Sequence, residues 1–271
     1  MRGFERFSAL PEACFCSGML YKIQKKKRSP VNRRNFLKIV GATGAMVAVN
    51  PSVIRQTLHA DTGLFKAYER VQLVDGNGAP IKASALKKET NYVFNYPHVG
   101  TPSLLLNLED ATATDVKLKT EDGQEYLWKS GVGQKRTIVA YSAICSHQLS
   151  HPTPNDSFIS YVQKNKKTMA YNKAGIIVCS SHLSAFDPKA GAKQIAGPAP
   201  QPLASVVLEV GDDDTLWAVG VLGSDRFHEY FKSYKPELKE WYGGSRGAKK
   251  LVKISAKTVT LNEYSKEIIQ Y

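Results

Sequence analysis

Two pairs of cysteine and histidine residues are the part of this sequence best suited to metal chemistry. Cys145 and His147 are separated by one residue, and Cys179 and His182 by two. The pairs contain the only two cysteines that follow residue 60, and two of the six histidines of the chain. Because thiolates and imidazoles bind both zinc and iron, two short loops with this spacing could present four ligands to one small metal centre.

The ligand types alone allow two kinds of centre. A zinc ion can take two cysteines and two histidines in a tetrahedral site, whereas a [2Fe–2S] cluster can take two thiolates on one iron and two imidazoles on the other. In an oxidising compartment two cysteines could also form a plain disulfide, but a disulfide leaves the neighbouring histidines unexplained. The residues around the pairs decide between these alternatives.

The residues that follow the second pair have a recognisable order. Together with the pair they form the pattern Cys-x-x-His-x-Ser-x-Phe-Asp, which runs from Cys179 to Asp187. A proline-rich segment follows at residues 197–203. With these motifs the chain resembles the Rieske iron–sulfur family over roughly residues 90–222. The resemblance implies one [2Fe–2S] cluster with four ligands: Cys145, His147, Cys179 and His182.

Several other residues near the pairs take their expected roles from this resemblance. Ser184 would donate a hydrogen bond to a cluster sulfide, and Phe186 stands where many relatives have a tyrosine whose hydroxyl bonds a cysteine sulfur. Ser150 and Ser181 match the positions that carry a disulfide in Rieske proteins of cytochrome bc complexes, so no such bridge can form here. His151 is expected to be a solvated loop histidine rather than a ligand.

Within the family the strand residues are most similar to the small subunit of arsenite oxidase. The similar segments are residues 91–97, 102–108, 131–133, 138–142 and 216–220. This resemblance implies an electron-transfer subunit, with a large catalytic oxidoreductase subunit and a cytochrome c-like acceptor as its partners. The alternative is the Rieske subunit of a quinol-oxidising cytochrome bc complex, whose partner would be a cytochrome b-type subunit.

Two other classes of function agree poorly with the sequence. A Rieske oxygenase needs a second, mononuclear iron held by two histidines and a carboxylate, but His228 is the only histidine after His182. A structural β-domain without a cofactor leaves the two pairs unexplained. The chain is therefore expected to be an electron-transfer subunit rather than a stand-alone catalyst.

The body of the chain is expected to be all-β with the Rieske fold of stacked antiparallel sheets. Short runs rich in β-branched and aromatic residues, bounded by turn residues, predict strands. These runs are residues 70–74, 92–94, 104–106, 137–141, 175–178, 206–208 and 216–219. We expect a Rieske domain at residues 61–224, with a cluster-binding subdomain at about 145–203.

Two segments depart from the usual family pattern. The 31 residues between His147 and Cys179 include an additional stretch near residues 155–172. Residues 225–271 form a partly helical C-terminal extension, in which aromatic residues follow helical spacing from Phe227 to Trp241. That stripe could pack on the body or dock a partner.

The N-terminal segment, residues 1–60, is interpreted as a targeting signal. It contains Arg33-Arg34 within an Asn-Arg-Arg-Asn-Phe-Leu-Lys pattern, followed by the apolar run of residues 39–49. A charged region, an arginine pair and a short apolar stretch are typical of twin-arginine export, which predicts a periplasmic protein. The 11-residue run is shorter than the about 20 residues of a spanning helix, but an uncleaved signal could still tether the protein to a membrane.

The charge distribution argues against a nucleic-acid partner. The formal net charge is +13, but residues 1–60 hold 11 lysines and arginines against two acidic residues. The remaining residues, 61–271, hold 26 basic and 22 acidic residues. Since most of the excess lies in the targeting segment, the body has an ordinary solvated surface rather than a basic binding face.

Overall fold

A computed structural model of the chain describes residues 63–271, so the predicted targeting segment lies outside the described residues. All seven predicted runs coincide with strands, although runs 137–141 and 175–178 begin one residue before their strands. The strands within the described part are β1 (Phe65–Val74), β2 (Tyr92–Asn95), β3 (Pro102–Asn107), β4 (Val116–Lys119), β5 (Glu125–Trp128), β6 (Ile138–Ser142), β7 (Asp156–Ser157), β8 (Ile159–Val162), β9 (Ile176–Cys179), β10 (Ser184–Asp187), β11 (Lys193–Ala196), β12 (Ser205–Val210), β13 (Leu216–Leu222), β14 (Ser255–Thr260) and β15 (Glu267–Ile268).

Seven of these strands form a closed barrel in the order β1-β13-β12-β6-β3-β2-β14. All neighbours in it are antiparallel except β14 and β1, which are parallel. A separate four-stranded sheet, in the order β11-β10-β9-β8, carries the second cysteine–histidine pair. The expected all-β architecture is therefore confirmed.

Strands β3 and β6 lie between two hydrophobic cores. Side chains alternate in direction along a strand, and in β3 Leu105 enters one core while Leu104 and Leu106 enter the other. Every residue of both strands is buried. The second core also contains Cys145 and Cys179, so these central strands place the cysteines at the edge of a well-packed interior.

The additional stretch between the two pairs builds part of the four-stranded sheet that contains Cys179. Strand β8 lies within it and pairs with β9, with Ile159 opposite Cys179. Strand β7 pairs in parallel with β15 near the C-terminus. The main chain oxygen of Tyr271 also accepts hydrogen bonds from Thr168 and Met169. The insertion is thus integrated into the fold rather than left as a free loop.

The tail, residues 225–271, begins with helices and then supplies a barrel strand. The helices are α1 (Phe227–Ser233), α2 (Lys235–Tyr242), α3 (Ser245–Ala248) and α4 (Leu261–Tyr264). The proline that interrupts the aromatic stripe is in the first turn of α2, where its missing N–H costs nothing. Strand β14 then lies between β1 and β2, so the segment predicted to be an extension contains a strand of the barrel.

The aromatic stripe of the tail packs mainly on the body. Phe227, Tyr230, Phe231 and Leu238 are at most 4% exposed and join the same core as the barrel strands, whereas Trp241 is 37% exposed. Full burial of one such side chain contributes about 1.5–3 kcal/mol. The tail is therefore firmly attached. Among residues 63–271, no helix has the length and apolar character needed to cross a membrane.

Candidate metal centre

Two loops bring the predicted ligands together. The first loop, residues 143–151, follows β6 and carries Cys145 and His147; the second loop, residues 180–183, joins β9 to β10. Cys145 and Cys179 are both 1% exposed and free of any disulfide, and their thiols are within hydrogen-bonding reach of each other. The structure thus places both sulfurs side by side in the interior.

The two histidines lie together on the outer side of the loops. The ring centroids of His147 and His182 are 4.9 Å apart, and the ring planes are perpendicular. His182 is exposed and His147 is half-buried. The Nδ1 atom of His147 is buried and has no hydrogen-bond partner in the described part of the chain, as expected for a nitrogen that is available as a ligand.

The surroundings of Cys179 favour its thiolate, which is the form that binds metals. The thiol of Cys145, the main chain N–H of Ser181 and one hydroxyl of the hydrogen-bonded pair Ser150–Ser181 donate toward its sulfur. These donors lower the pKa of Cys179 in spite of its burial. The pKa of Cys145 is raised, because its thiol donates to Cys179 and is itself buried.

The second loop is the turn of a β-hairpin. Cys179 ends β9 and lies opposite Ser184, the first residue of β10. Leu183 completes the turn with a left-handed φ of 56°. The main chain N–H of Ser180 donates to the carbonyl of Phe158 at 2.6 Å, which ties the turn to the insertion. Strand pairing on both sides therefore fixes the position of this loop.

Ser184 and Phe186, predicted to line the cluster, are both fully buried. The hydroxyl of Ser184 has no hydrogen-bond partner within the described residues. Because a buried hydroxyl without a partner costs free energy, this orphaned donor fits a site whose acceptor is a bound group. Phe186 belongs to the same hydrophobic core as Cys145 and Cys179.

The first loop and the second loop are joined directly by two serines. The hydroxyl oxygens of Ser150 and Ser181 are 2.6 Å apart and hydrogen-bonded. These are the positions that the family resemblance assigns to a disulfide in other members. The chain thus has a hydrogen bond at the point where a covalent bridge would lie.

His151, at the end of the first loop, differs from the sequence-based expectation. It was expected to be solvated, but it is only 8% exposed and its ring lies between those of Tyr230 and Tyr234, with both centroid distances at 4.7 Å. Its Nδ1 atom bonds the carbonyl of Leu149 at 2.9 Å. The expectation was wrong because the tail helices cover this part of the loop.

The proline-rich segment covers the loops from a third side. At Gly197, where φ is +80°, an added Cβ would lie 2.4 Å from the carbonyl oxygen of Leu183, so the segment lies directly against the second loop. The hydroxyl of Ser146 donates to the carbonyl of Gln201 at 2.7 Å, which connects the segment to the first loop. This agrees with the position implied by the resemblance.

The ligands are arranged as two pairs rather than as one tetrahedral set. Within residues 63–271, no three His, Cys, Asp or Glu side chains are grouped around a point where a single ion could bind. Two adjacent sulfurs, two adjacent imidazoles and an orphaned hydroxyl are the donor set that a two-iron cluster needs. The residues present fit a [2Fe–2S] cluster.

Comparison with known families agrees with this geometry. The sequence profile of the Rieske [2Fe–2S] domain matches residues 106–207, a range that contains both loops and the proline-rich segment. The chain contains a Rieske [2Fe–2S] domain. Such a domain binds one [2Fe–2S] cluster, so the expected cofactor is confirmed.

Similar curated proteins are subunits of reductases. The chain is 28% identical over 209 residues to the "Putative respiratory nitrate reductase subunit Rieske" of Haloferax mediterranei, which covers 71% of this chain and 79% of that protein. It is 27% identical over 201 residues to the iodate reductase subunit IdrB of Pseudomonas sp. strain SCT, covering 73% and 82%. The corresponding subunit of Denitromonas iodatirespirans is 29% identical over 197 residues, covering 73% and 84%.

One similar solved structure is the soluble domain of the Rieske protein II from Sulfolobus acidocaldarius. The similarity has a TM-score of 0.41 and 24% sequence identity, and it covers 59% of this chain and 82% of that one.

Sequence reasoning missed the residues that hold the first loop. Arg226 and Tyr234 donate from the tail to main chain carbonyls of this loop, and the carbonyl of Gln201 in the proline-rich segment accepts from the hydroxyl of Ser146. They lie from 55 to 86 positions away from their partners. No local pattern around these residues indicates the contacts, because each contact depends on the tertiary fold.

Proposed function

We propose that this chain is the electron-transfer subunit of an exported oxidoreductase complex, with its cluster held by Cys145, His147, Cys179 and His182. The observation that carries the proposal is the pairing of two buried thiols with two neighbouring imidazoles nearer the surface. When bound, a [2Fe–2S] cluster supplies one-electron redox chemistry.

The buried cysteines and the exposed histidine have different tasks in this proposal. Cys145 and Cys179 lie in a core that excludes water, which keeps the sulfur side of the centre in a low-dielectric environment. His182 is exposed and offers the shortest route from the centre to a partner protein. Ser184, with its buried hydroxyl, would hold a hydrogen bond to the reduced centre.

The proposed partner is a large catalytic subunit of the kind found with the small subunit of arsenite oxidase. Segments 91–97, 102–108 and 138–142 support this proposal, as do the similar subunits of nitrate and iodate reductases. The serine pair at the disulfide position, Ser150 and Ser181, counts against a cytochrome bc complex. A cytochrome c-like protein is the proposed soluble redox partner.

Purification of the native complex tests the choice of partner. Antibodies against the folded domain should be used, because the C-terminal Tyr271 is bonded into the fold and the N-terminus carries the signal. We expect mass spectrometry to find a large catalytic oxidoreductase subunit in equal amount. A cytochrome b-type subunit in its place would contradict the proposal and support the bc alternative.

We also propose periplasmic location through the arginine pair, since twin-arginine export carries proteins that are already folded around their cofactor. The test replaces Arg33 and Arg34 with lysine, which keeps the charge but removes the recognised pair. We expect the protein to remain in the cytoplasm, and fractionation with immunoblotting measures this. The matched control is Lys26→Arg in the same basic segment, which should be exported normally; equal periplasmic levels of the double variant would contradict the proposal.

A further inference from the structure

We propose that the tail is a clamp for the first loop, in which Arg226 and Tyr234 are positioning residues for His147. This inference deepens the proposed function, because it rests on the assignment of His147 as a ligand. It adds a role for a segment that lies outside the residues matched by the Rieske domain.

The two contacts enclose His147 from both sides along the chain. Arg226 donates from Nη1 to the carbonyl oxygen of Ser146 at 2.9 Å. Tyr234 donates from its hydroxyl to the carbonyl oxygen of Gln148 at 3.1 Å. Ser146 and Gln148 are the residues directly before and after His147, so both neighbours of the ligand are held by the tail.

The donors are attached to a rigid support. Arg226 precedes α1 and Tyr234 follows it, so one helix carries both. Phe227, Tyr230 and Phe231 bury that helix in the barrel core. A donor fixed to a packed helix restrains its acceptor much more than a solvated side chain would.

The end of the first loop is seated in the same segment. His151 lies between the rings of Tyr230 and Tyr234, and its Nε2 atom is 3.4 Å from a carboxylate oxygen of Glu237 in α2. The loop is therefore held at three points by the tail: before His147, after His147 and at residue 151.

The first loop needs this support because it is not part of a sheet. Its own main chain closes with two hydrogen bonds, from Cys145 to the carbonyl of Ser150 and from Leu149 to the carbonyl of Cys145. After Ala143, whose N–H donates to the carbonyl of Pro102 in β3, no residue of this loop is paired with a strand. Since neither a β-ladder nor a disulfide holds it, contacts from other parts of the fold must fix its position.

Arg226 adds an electrostatic effect to its hydrogen bond. Its guanidinium remains charged at all relevant pH values, and it is held in place by Glu121 at 3.6 Å and Glu229 at 3.8 Å. A fixed positive charge beside the loop stabilises an added electron at the centre. The clamp should therefore raise the reduction potential as well as hold the ligand.

Three variants separate these effects. Tyr234→Phe removes one hydroxyl and leaves the ring that packs on His151. Arg226→Lys keeps the positive charge but loses the directed bond to Ser146, and Arg226→Gln loses both. The matched controls are Tyr242→Phe, whose hydroxyl faces Tyr264 at 3.5 Å, and Arg246→Gln, on the exposed side of α3.

The measurements are the reduction potential, the electron paramagnetic resonance line shape and the rate at which the purified full-length protein loses its visible cluster absorption. Tyr234→Phe should broaden the resonance and speed cluster loss about fivefold, the factor that corresponds to one hydrogen bond. Arg226→Lys should speed cluster loss with little change in potential. Arg226→Gln should also lower the potential, and both controls should behave like the wild type.

These measurements distinguish a failure of the proposed function from a failure of the proposed clamp. If the wild-type protein lacks a Rieske resonance, the proposed function is wrong. If the resonance is present but the clamp variants match their controls in potential, line shape and cluster lifetime, the clamp is wrong. A lower melting temperature with these three properties unchanged would also overturn it, because the tail would then stabilise only the fold.

Discussion

The two loops that carry the predicted ligands are held in place in different ways. The second loop is a hairpin turn, with Cys179 opposite Ser184 across the β9–β10 ladder and Ile159 opposite Cys179 on the other side. The first loop has no such pairing and depends on side chains from distant segments, among them Arg226 and Tyr234. The comparison shows that one metal centre can combine a ligand pair fixed by local structure with a pair fixed by tertiary contacts.

The largest expected effect is the loss of the cluster. Substitution of a cysteine in either loop should cause this loss to the same extent. Cys145→Ser and Cys179→Ser each remove one of two thiolates from the same iron, so each variant should lose the centre completely. Iron content and visible absorption measure this. The control His228→Ala, an exposed histidine in α1, should keep full occupancy, and a cysteine variant that retains the centre would contradict the ligand assignment.

The next effect is on the reduction potential, and it should be specific to the second loop. Phe186→Tyr adds a hydroxyl close to the buried cysteines and should raise the potential, because a donor to a thiolate stabilises the added electron. Ser184→Ala removes the buried hydroxyl and should lower it. We expect shifts of roughly 60 mV, equivalent to a tenfold change in a one-electron equilibrium.

Voltammetry on the wild type and both variants measures these shifts. The wild-type potential should lie in the middle or lower part of the Rieske range of about −150 to +300 mV. If Phe186→Tyr leaves the potential unchanged or lowers it, then residue 186 does not face a cluster ligand, and the alignment of this loop is wrong.

The smallest expected effect concerns the contact between the loops. Ser150→Ala removes the 2.6 Å hydrogen bond to Ser181 within the serine pair that supplies one hydroxyl donor toward Cys179. We expect a modest decrease in potential and a loss of about 1 kcal/mol in the free energy of unfolding. Chemical denaturation measures the second quantity, with Ser130→Ala, a half-buried serine outside the two loops, as the control. A larger decrease in reduction potential than that caused by Ser184→Ala would contradict this order. It would show that the hydrogen bond between the loops affects the centre more than Ser184 in the β9–β10 ladder does.

The difference between the loops also explains what the sequence could predict. The second loop was recognisable because its ligands, its turn and Ser184 lie within six residues, and the strands had clear β-rich runs. The burial of His151 and the contacts of Arg226 and Tyr234 depend on segments about 80 positions apart. Strand β14 was missed because its alternating small and polar residues give little hydrophobic signal, and the barrel supplies its pairing partners.

Quantification of iron, acid-labile sulfide and zinc in the purified protein is the most direct test of the metal centre. The arrangement of two buried thiols, two adjacent imidazoles and an orphaned serine hydroxyl predicts two irons and two sulfides per chain, and no zinc. One zinc per chain without labile sulfide would contradict the assignment of a [2Fe–2S] cluster to these two loops.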